Sequence, residues 1–441
     1  MMHPVKTTPP GYSRFSSIPL ILYRALLPIS APLILEWRKK KGKESVSRIH
    51  ERRGLSSHPR PHGFLIWIHA TSVGEVRSVF PLIEHYTQKG HKVLLTSTTQ
   101  TSAQLAQKLL PSGALHQFIP LDTPTYVRRF LEHWKPNVAL LAESEIWPTL
   151  LLEAHQYGIP LAIINGRLSE HSFHRWKFLP KTANCLLSRV HICLMQTASD
   201  AQRWIDLGGK TPQVVGNLKY DVPPPHANFE RLSSLQKILS GRPLWVAAST
   251  HKGEEDGLLS VHIKLRERFP SLLTCIIPRH PERTAILEQK ASAMGISMLK
   301  FSQGQAPSET TSLYIGDTIG DLGLFYRLGT LVFMGGSLTP HGGQNPLEPI
   351  QLGNYVFHGP HISNFHAIYK ALDDCLGTLH VDSFDALSLA LSEHLQVPEK
   401  KTTFIAAGQQ HIHKHKGALE RTLKILEHWL PECSSIPQGQ A

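Results

Sequence analysis

The sequence predicts two doubly wound α/β domains in tandem. Three observations carry that expectation. From Phe64 onward, short β-rich apolar runs alternate with longer helix-periodic segments such as Val76 to Gln88 and Ser102 to Leu110. The runs are continuously apolar, as in parallel strands covered on both faces, where a half-exposed strand would alternate. One break, "DVPPPHANFERLSSLQKILSGRP" from Asp221 to Pro243, interrupts the rhythm with three consecutive prolines and a polar helix before the same pattern starts again. At 441 residues the chain is long enough to bury two or more cores.

The first element reads as an anchor or interfacial segment outside both domains, with a buried helix packing on the first domain as the alternative. "IPLILYRALLPISAPLIL", Ile18 to Leu35, is an apolar run about long enough to cross a bilayer core, which takes roughly 18 to 20 residues. Arg24 and the prolines Pro19, Pro28 and Pro32 weaken it as a regular spanning helix. "EWRKKKGK" follows and sets Trp37 beside Arg38, Lys39, Lys40, Lys41 and Lys43, a pattern that keeps the downstream chain on the cytoplasmic side. A cleaved signal peptide carries its charges mainly before the apolar run, so residues 1–45 are expected to anchor the chain or lie at a membrane interface.

Residues 46–222 then form the first domain, with "FLIWIHA", "HKVLLTSTT", "LHQFIPLD", "NVALLAES", "IPLAIING", "VHICLMQT" and "PQVVGN" as strands. Residues 223–242 read as a linker and residues 243–425 as the second domain, built on "LWVAAST", "SLLTCIIP", "SMLKFS", "TSLYIGD", "TLVFMGG", "YVFHGP" and "TLHVD". Residues 426–441 read as a polar tail. Two such sheets are expected to set their carboxyl ends across a cleft, where ligands of doubly wound sheets bind.

The net charge of +12 suits an anionic partner, and the basic flank of the apolar run points to a membrane surface. No helix-turn-helix, RRM or aromatic-basic pattern supports nucleic acid. The five cysteines have no C-x-x-C spacing, so neither a disulfide framework nor a zinc site is signalled. No H-E-x-x-H and no G-x-S-x-G occurs.

The chemistry sits in strand-to-helix loops. In the second half, "FMGGSLTPHGGQNPLEP" has two glycine pairs and a proline in a first helical turn, which expose backbone N–H groups to a phosphate, and Glu348 can accept from a ribose. "GDTIGDLGLFY" offers N–H groups at Ile319, Gly320 and Asp321; its aspartates Asp317 and Asp321 read equally as helix caps. "CIIPRHPER" ends a strand with Pro278 and Arg279, a planar fork for phosphate or carboxylate that His280 and Arg283 can join. The first half instead offers Glu75 in "SVGE", Glu143 and Glu145 in "AESEIWP", and Lys219 in "GNLKYD". A first-turn glutamate is most often a partner of the helix dipole, which would also make Glu75 a weak base.

Taken in order, "SVGEV", "ESEIWP", "NGRLSE", "GNLKYD", "STHKGEE", "PRHPER", "GDTIGDL" and "GGSLTPHGGQNPLEP" resemble the Kdo transferases, GT-B glycosyltransferases that move 3-deoxy-D-manno-octulosonic acid from CMP-Kdo onto a lipid A precursor. The resemblance runs from about Ile18 nearly to the C-terminus. It implies Glu75 as the base of an inverting displacement, with Glu143 and Lys219 stabilising the transition state. It implies Pro278, Arg279, Ile319, Gly320, Asp321, Asn345, Pro346, Leu347 and Glu348 as CMP-binding positions. No metal or other cofactor is implied; the partners are CMP-Kdo, the lipid A precursor and the cytoplasmic face of a bacterial inner membrane, with one or more Kdo units added. Asp321 and Gln344 depart from the family, which often has glutamate and histidine there. The alternative is another GT-B enzyme that uses a UDP-sugar on a lipid-linked acceptor.

Overall fold

The computed structural model describes residues 17–434, and these fall into two compact units that change over after Val222 and again after His415. The first unit holds a seven-stranded sheet: β1 (Leu65–His69), β2 (Lys92–Ser97), β3 (Ala114–Phe118), β4 (Val138–Ala142), β5 (Leu161–Gly166), β6 (Ile192–Met195) and β7 (Gln213–Val214). Its order is β3-β2-β1-β4-β5-β6-β7, with every pair parallel. The second unit repeats the plan with β8 (Leu244–Thr250), β9 (Leu273–Pro278), β10 (Met298–Lys300), β11 (Leu313–Ile315), β12 (Leu331–Met334), β13 (Tyr355–His358) and β14 (Thr378–His380). There the order is β10-β11-β9-β8-β12-β13-β14, again parallel throughout.

The apolar runs make this arrangement because each strand feeds two cores. In β1, Leu65 and Trp67 join the core on one face with Leu94, Leu141 and Ile163, while Ile66 and Ile68 join the other with Val93, Leu95, Leu140 and Ile164. Strand order reverses beside β1 and beside β8, and the loops leaving those strands lie where doubly wound sheets bind ligands. Serine or threonine N-caps start the helices that follow: Ser72, Thr99, Thr123, Ser169 and Thr197 each accept a first-turn N–H.

Three boundaries differ from the sequence reading. The N-terminal segment, expected to stand apart from both domains, belongs to the first unit through its described residues. The segment 223–242 is not a free linker, because the helix Phe229–Ile238 buries Leu232 and Leu235 and belongs to the second unit. The last helix, Ala418–Ser434, belongs to the first unit and is not a polar tail. Ala418, Leu426, Trp429 and Leu430 complete the core beside Ala142 and Ile164, and Asp221 holds the helix start by accepting from Gly417 N and Leu419 N, both at 2.7 Å. An apolar stripe needs a partner, and the charged residues around this one hid it in the sequence. The polar end expected beyond Ser434 lies outside the described residues.

The apolar N-terminal run forms one helix, Ile18–Lys40, with Pro28 and Pro32 inside it. The prolines do not break it; they leave the carbonyls of Arg24 and Pro28 without an intrahelical donor. One side is fastened to the first unit. Leu20, Ala31 and Leu35 are buried, Tyr23 OH donates to Asp122 at 2.9 Å, and Arg24 pairs with Glu153, whose buried carboxylate also accepts from Arg128 Nε at 2.8 Å. The opposite side, Ile18, Leu22, Leu26, Ile29, Leu33 and Trp37, is exposed and follows a three-or-four-residue spacing.

Asp221→Ala removes both acceptors from the start of the last helix, so the first unit is expected to lose about 1–2 kcal/mol, the usual worth of such a cap. Thermal denaturation combined with limited proteolysis within residues 418–434 measures this. An unchanged melting temperature would show that the helix docks without the cap.

Candidate active site

Each unit carries one cluster of polar residues at the carboxyl edge of its sheet. In the first, the loop after β1 starts its helix with Ser72, whose Oγ accepts Glu75 N at 3.3 Å. The Glu75 carboxylate folds back over this turn and accepts from Thr71 N and from Ser72 Oγ, both at 2.8 Å. Glu75 therefore does serve as the first-turn cap that sequence reasoning gives as its ordinary role.

Beside it, β4 ends in Glu143, which has φ +57°, a left-handed conformation uncommon outside glycine. Glu143 N still bonds Ile164 O at 2.9 Å, and the left-handed turn ends β4 and starts the loop to Glu145. The Glu143 side chain meets Lys219 at 2.6 Å. Lys219 is positioned by two asparagines. Asn217 Oδ1 accepts Lys219 N at 3.0 Å, and Asn165 Oδ1, on β5, accepts Leu218 N at 2.9 Å. Asn165, itself at φ +50°, was quoted in "NGRLSE" without a role; an Asn-Gly pair at a strand end was the available signal.

Glu145 completes the cluster. It accepts from Trp147 Nε1 and lies 3.5 Å from His69 Nε2 at the end of β1. Glu75, Glu143, Glu145 and Lys219 are thus brought together, as the sequence reading expected for three of them. The expected weak base is reversed. Burial pushes the Glu75 carboxyl up to about 7, the charges of Glu143 and Glu145 push the same way, and the bonds from Thr71 and Ser72 only partly offset them.

The second cluster is cationic and backbone-rich. Ser249, next to last in β8, has φ +54°, and the following loop is held by buried Glu254, which accepts His251 N at 2.8 Å and Gly336 N at 2.9 Å. Gly335 follows β12, where an added Cβ would stand 2.4 Å from Thr250 Cα, so only glycine lets the two loops touch. Pro278 is buried at the end of β9, and half-buried Arg279 is tied to the same place by its N–H to Thr250 O at 2.9 Å. Arg283 does not join it as a free fork, because it pairs with Glu255.

His251 stacks on His341 at 4.5 Å and meets Gln344 Nε2 at 3.1 Å. Burial, and then His341, His280, Arg279 and Arg283, push the His251 imidazole down to about 4. Asn345 Oδ1 accepts Leu347 N at 3.1 Å, Pro346 caps the helix Leu347–Gln351, and Asn345 Nδ2 reaches Glu348 at 3.4 Å. Ile319 and Gly320 are exposed before the helix Leu322–Leu328, which Asp321 starts. Asp317 accepts from Ser302 N at 2.8 Å and Asp321 from the Thr318 hydroxyl, so neither side chain caps the helix Leu322–Leu328.

A carboxyl raised on folding costs stability when it ionises. Glu75 therefore weakens the first unit: the penalty is full above about pH 7, shrinks as pH falls below that value and is gone only below the unfolded carboxyl value of about 4.5. Glu75→Gln keeps an acceptor for Thr71 N–H and removes the charge. It is expected to raise the melting temperature at pH 8 and to lose that gain progressively as pH falls, leaving it unchanged near pH 4; a loss at pH 8 would contradict the raised carboxyl.

The family model described as 3-Deoxy-D-manno-octulosonic-acid transferase (kdotransferase) matches residues 47–222. The 3-deoxy-D-manno-octulosonic acid transferase of Haemophilus influenzae is 33% identical over 420 residues, covering 92% of this chain and 98% of its own. That of Bordetella pertussis is 32% identical, covering 93% and 99%. A solved glycosyltransferase from Rickettsia africae aligns over 85% of this chain and 100% of its own with a TM-score of 0.55, and at 12% identity that likeness concerns the fold. With full-length relatives above 30% identity and two Rossmann-like sheets, the chain belongs to the 3-deoxy-D-manno-octulosonic acid (Kdo) transferase family and is a GT-B glycosyltransferase.

Proposed function

We propose that this chain transfers Kdo from CMP-Kdo to a hydroxyl of a lipid A precursor, lipid IVA, by direct inverting displacement without a metal ion, and that it can add more than one Kdo. Glu75 takes the proton of the acceptor hydroxyl as that oxygen bonds to the anomeric carbon. The bond from this carbon to the CMP oxygen breaks, and its electron pair leaves with the phosphate. Supporting this reading most directly is Glu75 itself, a half-buried carboxylate raised to about 7, which is a base matched to neutral pH. Glu143 and Lys219, 2.6 Å apart, offset charge that develops at the acceptor side.

On the donor side CMP is assigned to Pro278, Arg279, Ile319, Gly320, Asp321, Asn345, Pro346, Leu347 and Glu348. The cationic surroundings of His251 and the exposed loop at Ile319 and Gly320 favour one phosphate there. Glu348 suits a ribose hydroxyl, and its bond from Asn345 fixes its direction.

The N-terminal helix fits an anchor that lies in one leaflet on the cytoplasmic face of an inner membrane. Its docked side is occupied by Tyr23–Asp122 and Arg24–Glu153, which leaves one apolar stripe for lipid and Lys39, Lys40, Lys41 and Lys43 for anionic headgroups. A crossing helix would also have to place Arg24 and two undonated carbonyls in hydrocarbon.

Incubating the protein with CMP-Kdo and lipid IVA, followed by mass spectrometry of the lipid, is expected to show added Kdo. Glu75→Gln is expected to lower the rate by roughly 10²- to 10⁴-fold; no product from the wild type would overturn the function, and a full rate in the variant would overturn the base. For the anchor, changing Leu22, Leu26 and Ile29 together to Gln should abolish flotation with phosphatidylglycerol vesicles. Flotation that persists in this variant would point to a different lipid-binding element.

A further inference from the structure

Glu145 is the one charged group of the first cluster that the proposed reaction does not use. Its surroundings are built rather than solvated. His69 Nδ1 lies 3.1 Å from the Thr96 carbonyl oxygen and 2.9 Å from Thr96 Oγ, which also accepts Trp67 Nε1–H at 2.8 Å, and His69 Nε2 faces Glu145 at 3.5 Å. Trp147 Nε1–H donates to the same carboxylate.

Thr71 links this group to Glu75. Its N–H donates to Glu75 Oε2 at 2.8 Å, while its hydroxyl lies 3.4 Å from His69 Nε2 and bonds Glu145. One residue thus spans both carboxylates.

Resting on the reading of Glu75 as the base, we propose that Glu145 is a positioning residue: it holds a fixed negative charge beside Glu75 and so sets the pH above which Glu75 accepts the acceptor proton. Glu143 also pushes Glu75 up and is paired with Lys219 at 2.6 Å, and Arg77 lies two residues on from Glu75 in the helix Val73–Gln88. Burial alone pushes the Glu145 carboxyl up, but the His69 bond and charge, with the Trp147 and Thr71 bonds, more than reverse this and leave it below the usual range. It stays ionised while Glu75 titrates. The charge of Glu145 in turn pushes Glu75 up, after burial and Glu143.

The test compares the pH dependence of kcat/KM for Kdo transfer in the full-length wild type, Glu145→Gln and Glu145→Asp. Gln keeps an acceptor for Trp147 and His69 and removes only the charge. Its acidic limb is expected to move down by about one pH unit, so that about half the plateau activity survives at pH 6 where the wild type keeps about a tenth. Glu145→Asp, which restores the charge, should return the limb toward the wild type. A lower plateau with an unmoved limb, or a limb moved upward, would overturn the proposal. If Glu145→Gln fails to fold while Glu145→Asp folds with the limb unmoved, the role is structural only when a charge-free Glu145→Ala also leaves the limb in place; a downward shift there supports the proposal. Glu75→Gln separates the two readings: full activity in that variant removes the base itself, whereas an inactive Glu75→Gln with an unmoved Glu145→Gln limb removes only the role of Glu145.

Discussion

At the carboxyl edge of the first sheet three carboxylates and one ammonium share a largely buried space, and unequal partners decide which carboxylate is left to take a proton. Glu143 has Lys219 at 2.6 Å. Glu145 has Trp147 and His69. Glu75 has one backbone N–H and one hydroxyl, too little to offset burial beside two like charges. The backbone enforces this crowding, since the left-handed turn at Glu143 ends β4 beside β1 and Asn165 fixes the loop that delivers Lys219. Positions of this kind cost stability and persist where packing over-determines them.

The second unit shows what the same position does without that crowding. Glu254 follows β8 as Glu75 follows β1, and it too folds back onto its turn. It is fully buried, however, and its two oxygens are satisfied by the N–H groups of His251 and Gly336. Glu254 therefore ties the loop after β8 to the loop after β12 and has no face open to a ligand. A loop-tying carboxylate and a reactive one differ here in their neighbours and exposure, while both fold back onto an N–H of the loop between strand and helix.

Much of the fold was legible because strand patterning is local. Among the described residues the fourteen strands fall on the segments quoted as strands, and the continuous apolar character of most of them gave parallel sheets. The last helix was misplaced because nothing within residues 418–434 says which of two cores receives Trp429 and Leu430; that depends on Asp221, some two hundred residues earlier. At the site, Glu75, Glu143 and Lys219 were legible as strand-end residues. The basicity of Glu75 was not, because a helix N-terminus predicts the opposite sign and only burial, joined by the three-dimensional approach of Glu143 and Glu145, overturns it. Arg283 shows the converse, a plausible phosphate ligand already committed to Glu255.

The account stands on the protonation of one side chain, which can be read without substrate. Infrared difference spectra of wild type against Glu75→Gln, recorded across pH 4 to 9, isolate the carboxyl band of Glu75. The account predicts a protonated carboxyl that disappears with a midpoint near 7. A midpoint at the ordinary glutamate value of about 4.3 would contradict it.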